Sequence, residues 1–255
     1  MYRFFVEQAA CKGDCIRITG DDWNHMRNVL RLKCGETVTV SDGSEREYIC
    51  EIKEYTETAA ELQVVDILDS NAELPTAITL YQGFPKGDKM ELIIQKAVEL
   101  GAVRIVPVMT HRSVVKLDAK KAEKKVERYN AIALSAAKQS KRSVIPVVSP
   151  VMSWQEALRD AAGLDMLLLP YEDAEGMVHA STLIQQAATK QSVGIIIGPE
   201  GGFERKEVEE AKKAGAECLT LGHRILRTET AGMTALSILM FEIEAGQEKQ
   251  QKATE

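Results

Sequence analysis

The sequence predicts an α/β protein whose mainly parallel sheet is preceded by a small β-barrel, and three observations carry that expectation. Strand-like apolar runs at residues 78–84, 103–109, 166–169, 193–197 and 218–221 alternate with helical segments such as 88–100 and 154–162, the rhythm of strand–helix–strand units. Before residue 69 the runs are short and alternate apolar with polar side chains, as half-buried antiparallel strands do. Two of the later runs break into sharp polar loops that open into helices: Ile195-Ile196-Ile197-Gly198-Pro199-Glu200-Gly201-Gly202-Phe203, and Leu221-Gly222-His223-Arg224-Ile225-Leu226-Arg227-Thr228-Glu229-Thr230-Ala231. Open α/β sheets bind ligands at such strand ends, so the two loops outline one site.

The first element is a short helix that Asp21 or Asp22 can cap, with Trp23, Met26 and Leu30 on one side and Asn24, Asn28 and Arg31 on another. The barrel strands follow as Thr37-Val38-Thr39-Val40, Tyr48-Ile49-Cys50-Glu51-Ile52 and Glu61-Leu62-Gln63-Val64-Val65, with a turn at Ser41-Asp42-Gly43-Ser44. Composition shifts at Asp69-Ser70-Asn71-Ala72-Glu73-Leu74-Pro75, which divides the chain into residues 1–73 and 74–255. Between Arg112 and Arg142, ten basic residues (Arg112, Lys116, Lys120, Lys121, Lys124, Lys125, Arg128, Lys138, Lys141, Arg142) face only Asp118, Glu123 and Glu127. Such a run is either a solvated helix face or a phosphate grip. The last helix, residues 231–243, is apolar nearly all round and is therefore buried or shared with a partner, and a polar tail follows from Gln247.

Composition excludes several classes. With 255 residues, 45% hydrophobic and 27% charged, the chain has the profile of a globular protein with one large core or two modest ones. Its start is broken by Arg3 and Glu7 too early for a signal peptide, and no long apolar run follows, so a cytoplasmic protein outside the membrane is expected. Cys11, Cys15, Cys34, Cys50 and Cys218 form an odd, scattered set with no Cys-x-x-Cys, which points to reduced thiols and no metal site. The net charge of −6 argues, if anything, against a nucleic-acid partner, and the local basic run on its own leaves the question open.

Charge narrows what the two loops hold. Phosphate needs bare backbone N–H groups at the positive end of a helix dipole, whereas the helix after Gly202 opens with Glu204 and Glu207. The glycines do not fit Gly-x-Gly-x-x-Gly, Pro199 removes a donor, and no Gly-Lys-Ser/Thr follows, so dinucleotides and triphosphates are disfavoured. A flat ligand with a positive centre and no phosphate suits bare glycine backbone beside carboxylates. S-Adenosylmethionine meets both conditions. Arg224 and Arg227 precede a helix that begins near Thr228 or Thr230, where the dipole disfavours cations; each either pairs with a carboxylate such as Glu200 or Glu229, or serves a ligand.

These two loops together resemble the SPOUT-class bacterial ribosomal RNA methyltransferases that act on uracil N3 of small-subunit RNA, the RsmE family. The resemblance extends through His25-x3-Val29-Leu30-Arg31, Lys86-Gly87-Asp88-Lys89-Met90-Glu91, Gln95-Lys96-x2-Glu99-Leu100-Gly101, Arg112-Ser113-Val114 and Gln139-Ser140-x-Arg142, nearly the whole chain. Glu204 departs from it, standing where the family often has a small N-cap residue such as serine. The resemblance implies a SPOUT-type knotted, mainly parallel sheet with helices on both faces, preceded by a PUA-like RNA-binding barrel. It also implies a homodimer paired through the last helix, although nothing in the residue pattern itself shows a knot.

By the same resemblance the cofactor would be held by Leu169, Gly198, Pro199, Glu200, Gly201, Gly202, Leu221, Gly222, Ile225, Leu226 and Thr228. RNA would be gripped by His25, Arg31, Arg112, Lys138, Arg142 and Arg224, the partner being small-subunit ribosomal RNA, free or in the assembled subunit. Methylating N3 means favouring a uracil that loses its proton, which calls for a cation and a base. Arg227 is the expected cation; Glu200 and Glu229 are candidate bases or loop anchors. A non-catalytic RNA-binding or assembly factor is the alternative, since basic patches serve binding as well as catalysis.

Overall fold

The computed structural model describes residues 2–6, 11–43, 46–69, 72–113 and 118–254. Lys116 of the basic run, Val114 of the Arg112-Ser113-Val114 match, Ser44 of the expected turn, Glu7 of the start, and Ser70 and Asn71 of the boundary lie outside the described residues. Two compact units form, one from Met1–Glu73 with Ala137–Ile145, the other from Leu74–Ala136 with Pro146–Glu255.

In the first unit six strands form one sheet: β1 (Arg3–Phe5), β2 (Cys11–Lys12), β3 (Cys15–Thr19), β4 (Thr37–Ser41), β5 (Arg46–Tyr55) and β6 (Ala59–Asp69), in the order β1-β4-β5-β6-β3-β2. All pairs are antiparallel except β1 with β4. Inward residues of five strands, among them Phe4, Ile16, Ile18, Val38, Val40, Cys50, Ile52 and Leu62, share one core, so the sheet curls round it as a half-barrel. The short helix α1 (Gly20–Asn24) continues without a break into a π-helical turn (His25–Val29), and Met26, Trp23 and Leu30 close the core as their spacing predicts. Asp21 and Asp22 do not cap it: they lie in its first turn, the N-cap position is Thr19, and the Asp22 carboxylate pairs instead with Lys138 at 2.6 Å.

The second unit holds a parallel sheet: β7 (Ala77–Gly83), β8 (Ala102–Met109), β9 (Val147–Val148), β10 (Met152–Ser153), β11 (Met166–Pro170), β12 (Ser192–Ile197) and β13 (Ala216–Leu219). The path is β10-β8-β7-β12-β11-β13 with β9 beside β8, and every pair is parallel. Helices α2 (Lys89–Glu99), α3 (Ala119–Gln139), α4 (Trp154–Ala161), α5 (Met177–Ala187), α6 (Arg205–Lys213) and α7 (Thr228–Thr254) complete it. Trp154, Ala157 and Leu158 of α4 and Val208 and Ala211 of α6 pack with Tyr81, Val106, Leu167, Leu169 and Ile196 on one face. On the opposite face Gly232 of α7 lies against Gln82 and Ile197. Both faces are covered, which is why these strands are apolar without alternation.

A polar clamp joins α4 to the sheet: the Tyr81 hydroxyl of β7 donates to Asp160 at 2.5 Å, and Arg104 of β8 forks onto the same carboxylate at 2.9 and 3.0 Å. Helix α7 extends past the expected apolar stretch through the polar tail to Thr254. That tail is built from glutamine, glutamate, lysine and alanine, good helix formers that simply carry an exposed helix onward. No described helix is long and apolar enough to cross a membrane.

Candidate functional site

Parallel pairing brings the C-terminal ends of β7, β11, β12 and β13 to one edge, and the loops beyond β11, β12 and β13 wall a cavity of about 840 Å³. That is within the roughly 300–1,000 Å³ usual for small-molecule sites. Its lining comes from Pro170 and Tyr171, from residues 197–203, and from residues 220–228, with Lys89 and Arg112 added from elsewhere in the same unit.

The β12 loop makes the floor. The Gly202 N–H donates to the Pro199 carbonyl at 2.8 Å and closes a tight turn that leaves Gly202 at φ +66°. Left-handed backbone costs a residue with a Cβ roughly 1–2 kcal/mol, so glycine belongs there. No atom stands within 4 Å of where a Gly202 Cβ would be, leaving the backbone open. Beside it the Arg112 stem packs on Gly201, 3.1 Å from the position a Cβ there would take, and its guanidinium donates to the Gly201 carbonyl at 2.9 Å.

The start of α6 is already filled. Glu207 is buried, and its carboxylate accepts the N–H groups of Glu204 and His111, both at 2.8 Å. Glu204 occupies the N-cap and turns its own carboxylate to His111 Nδ1 at 2.9 Å. With Glu204 at the N-cap, α6 begins at Arg205. The positive end of the helix is closed by protein carboxylate, and a ligand phosphate finds no vacancy there.

Acid and base are distributed unevenly around the cavity. The Glu200 carboxylate accepts the Lys86 N–H at 3.2 and 3.3 Å and pairs with Lys89 at 2.9 Å. Burial pushes this carboxyl up, yet the Lys89 and backbone hydrogen bonds outweigh it and hold Glu200 below the ordinary carboxylate value, which makes it a weak base. Lys89 is held above its ordinary value mainly by that same hydrogen bond. Its ammonium also lies 3.6 Å from Glu229, whose Oε2 is buried without a hydrogen-bond partner among the described residues. Since Lys89 occupies both carboxylates, no ion pair to Arg224 or Arg227 forms among the described residues; both arginines are exposed on the cavity rim. The carbonyl of Arg227 accepts the Ala231 N–H at 2.8 Å, so the arginine sits at the very start of α7.

A family model described as an RNA methyltransferase domain matches residues 72–240, and one described as an RNA methyltransferase PUA domain matches residues 18–65. The ribosomal RNA small subunit methyltransferase E of Bacillus subtilis (strain 168) is 38% identical over 250 residues, covering 96% of this chain and 98% of that protein. The chain belongs to the ribosomal RNA small subunit methyltransferase E family. The enzyme of that name from Mesomycoplasma hyopneumoniae is 31% identical across 93% of this chain and 98% of its own length. A crystal structure of the Neisseria gonorrhoeae enzyme bound to S-adenosyl methionine superposes with a TM-score of 0.81 at 30% identity, covering 94% of this chain and 97% of that one.

Against this family frame, the cavity gathers Gly198, Pro199, Glu200, Gly201, Gly202, Leu221, Gly222, Ile225, Leu226 and Thr228 of the expected cofactor set, together with Arg112, Arg224 and Arg227. Leu169 is fully buried in the core behind the wall, and the next residues along, Pro170 and Tyr171, line the cavity instead. Glu229 also lies off the lining. In the first unit, His25 and Arg31 are exposed on and just after the π-helical turn, Arg31 at φ +55°.

Lys138 and Arg142 are placed differently from a phosphate grip. Lys138 is engaged by Asp22. Arg142, expected at the RNA, is 3% exposed, and its guanidinium forks onto Glu73 at 2.6 and 2.9 Å, so in this structure it is a buried, paired cation. Sequence reasoning gave no role to Lys89, Pro170, Tyr171, Thr220 or His223, all on the wall. Pro170 and Tyr171 could have been found, because they end an apolar run just as Gly198 and Leu221 do.

Proposed function

We propose that this chain transfers the methyl group of S-adenosylmethionine to N3 of a uridine in small-subunit ribosomal RNA. One observation carries the reading: a cavity floored by the open backbone of Gly202, with Lys89, Arg112, Arg224 and Arg227 against Glu172 and Glu200 on its wall. A sulfonium-bearing adenosine suits such a floor, and polyanionic RNA suits such a rim. Residues 198–202, Leu221, Gly222, Ile225, Leu226 and Thr228 would hold the cofactor, which supplies an electrophilic methyl when bound.

Neutral N3 carries a proton and is a poor nucleophile. Arg227 therefore acts by balancing the negative charge that grows on the uracil carbonyls as the proton leaves. Glu200 is a poor acceptor for that proton, being paired with Lys89, and Glu229 lies behind the wall, so charge stabilisation by Arg227 matters more than a strong base. The remaining contribution is alignment of methyl and nitrogen, which needs no metal.

Residues 1–73 form the RNA-binding part in this reading, with His25 and Arg31 reaching the substrate, and residues 74–255 the transferase part, with Arg112 and Arg224 at its rim. Exposed Ile238 and Phe241 on α7, the latter 68% exposed, support a homodimer that covers them. A ribosomal RNA substrate places the protein in the bacterial cytoplasm.

Methyl-labelled S-adenosylmethionine incubated with the protein and with small-subunit RNA, either naked or assembled, tests the reading. Label recovered as N3-methyluridine is the expected result. RNA binding without incorporation into either substrate would leave a binding or assembly factor.

A further inference from the structure

Strand β7 ends in two residues, Gln82 and Gly83, that do not line the cavity yet meet both of the loops that wall it. Gln82 is completely buried on the face covered by α7. Its side-chain Nε2 donates to the Thr228 hydroxyl at 2.8 Å and to the Gly83 carbonyl at 3.0 Å, and the Thr228 hydroxyl in turn donates to the Gly198 carbonyl at 2.6 Å. Thr228 is the first residue of α7, where the second loop ends; Gly198 is the first residue after β12, where the first loop begins. A single relay therefore ties both loops to the middle of the sheet, since β7 lies between β8 and β12.

Gly83 completes the seat. A Cβ there would stand 2.6 Å from both Pro199 N and Pro199 Cδ, and 2.9 Å from the Gly198 carbonyl carbon. These are backbone and ring atoms with no rotamer to give way, so the Gly198-Pro199 turn rests directly on strand backbone.

The chemistry of Gln82 argues for a positioning role over a packing one. An amide in a fully buried position is a poor choice for a core unless its hydrogen bonds do something, and here the Oε1 atom is left without a partner among the described residues. Leucine would fill the space without that penalty. Only a group with two donors in one plane can hold the Gly83 carbonyl and the Thr228 hydroxyl together, and so fix which way that hydroxyl donates.

We propose that Gln82 and Gly83 are positioning residues for the cofactor cavity, setting the Gly198-Pro199 turn against the first turn of α7 through the Thr228 hydroxyl. The proposal rests on the methyltransferase reading for the identity of the ligand, but not for the geometry of the relay.

The variants are Gln82→Leu, Thr228→Val, Thr228→Ser and the Gln82→Leu/Thr228→Val double, each compared with wild type by S-adenosylmethionine titration calorimetry, thermal unfolding and amide hydrogen exchange without ligand. Gln82→Leu and Thr228→Val should each weaken affinity at least tenfold while the unfolding midpoint falls by no more than about ten degrees, the loss expected of one broken buried hydrogen bond. Thr228→Ser, which keeps the hydroxyl, should stay near wild type, and the double variant should lose no more than the worse single one, because all act through one relay. Exchange should quicken in residues 198–203 and 221–228 alone. Gly83→Ala should have the largest effect on affinity, and if it fails to fold the Gln82 and Thr228 variants still decide. Wild-type affinity in Gln82→Leu, or fully additive losses in the double variant, overturns the proposal. Should wild type bind no S-adenosylmethionine, the functional reading fails, while the exchange data alone uphold or sink the positioning role.

Discussion

Arg142 and Arg227 come from the same composition of basic residues, and their surroundings make them opposites. Around residues 137–145 two cations are neutralised, Arg142 by Glu73 and Lys138 by Asp22, and in the same unit Arg3 pairs with Glu47 at 2.8 Å. At the cavity Glu200 and Glu229, which might have neutralised Arg224 and Arg227, are drawn off by Lys89. The difference teaches that a cation's role is set by where the nearest carboxylate is committed, since a paired charge holds structure and an unpaired one is available to a ligand.

The sharpest way to break this contrast is to remove one partner on the structural side. Arg142→Ala should destabilise the protein by about 3–5 kcal/mol, because it strands the Glu73 carboxylate in a buried position. Urea unfolding reads this directly. A loss below about 1 kcal/mol would mean that the guanidinium does not brace the unit.

On the other side, Arg227→Ala should leave stability within about 0.5 kcal/mol of wild type, since the side chain is exposed. Single-turnover methylation at saturating cofactor should nonetheless fall about a hundredfold, near 3 kcal/mol of barrier, with ground-state binding of RNA little changed. Raising the pH deprotonates more of the uridine and should partly rescue the variant. Near-normal turnover would hand the role to Arg224.

A pH titration sharpens the comparison further. Burial pushes the Glu73 carboxyl up, but Arg142 and the N–H groups of Val144 and Ser143 prevail and hold it below its ordinary value near 4.5. A carboxyl depressed in the folded state contributes stability that is complete above the unfolded value and is lost as pH falls through the folded one. Acid unfolding should therefore steepen below about pH 4.5, and Glu73→Gln should flatten that portion of the curve. The same curve in wild type and variant would exclude the pair as its source.

The smallest effect concerns RNA. Arg112→Ala should lower the slope of log affinity against log salt by about one unit, while Arg142→Ala, measured where it remains folded, should leave the slope alone. Equal changes for the two arginines would erase the distinction drawn here.

Much of the fold was legible because burial on both faces writes itself as unbroken apolar runs, as in Ile195-Ile196-Ile197 and Leu167-Leu168-Leu169. The two loops were legible because glycine and proline mark sharp turns at strand ends. The π-helical turn at His25–Val29 was not, for it has no periodicity of its own. Neither was the pairing of Lys89 with Glu200 and Glu229, nor that of Arg142 with Glu73, since charge counts along a chain say nothing about which distant residues meet. The wall residue Tyr171 lies two residues beyond the run 166–169 that the sequence marks as a strand, where β11 pairs in parallel with β13 as far as Pro170.

Glu207, seated on the N–H groups of Glu204 and His111, has a consequence for which adenosine compounds are turned away. Adenosine is the common handle of many metabolites, and a pocket that grasped it through a bare helix end would be flooded by adenine nucleotides. By seating Glu207 on the N–H groups that open α6, the protein leaves no bare helix end there to hold an anion, and that refusal is fixed before any ligand arrives.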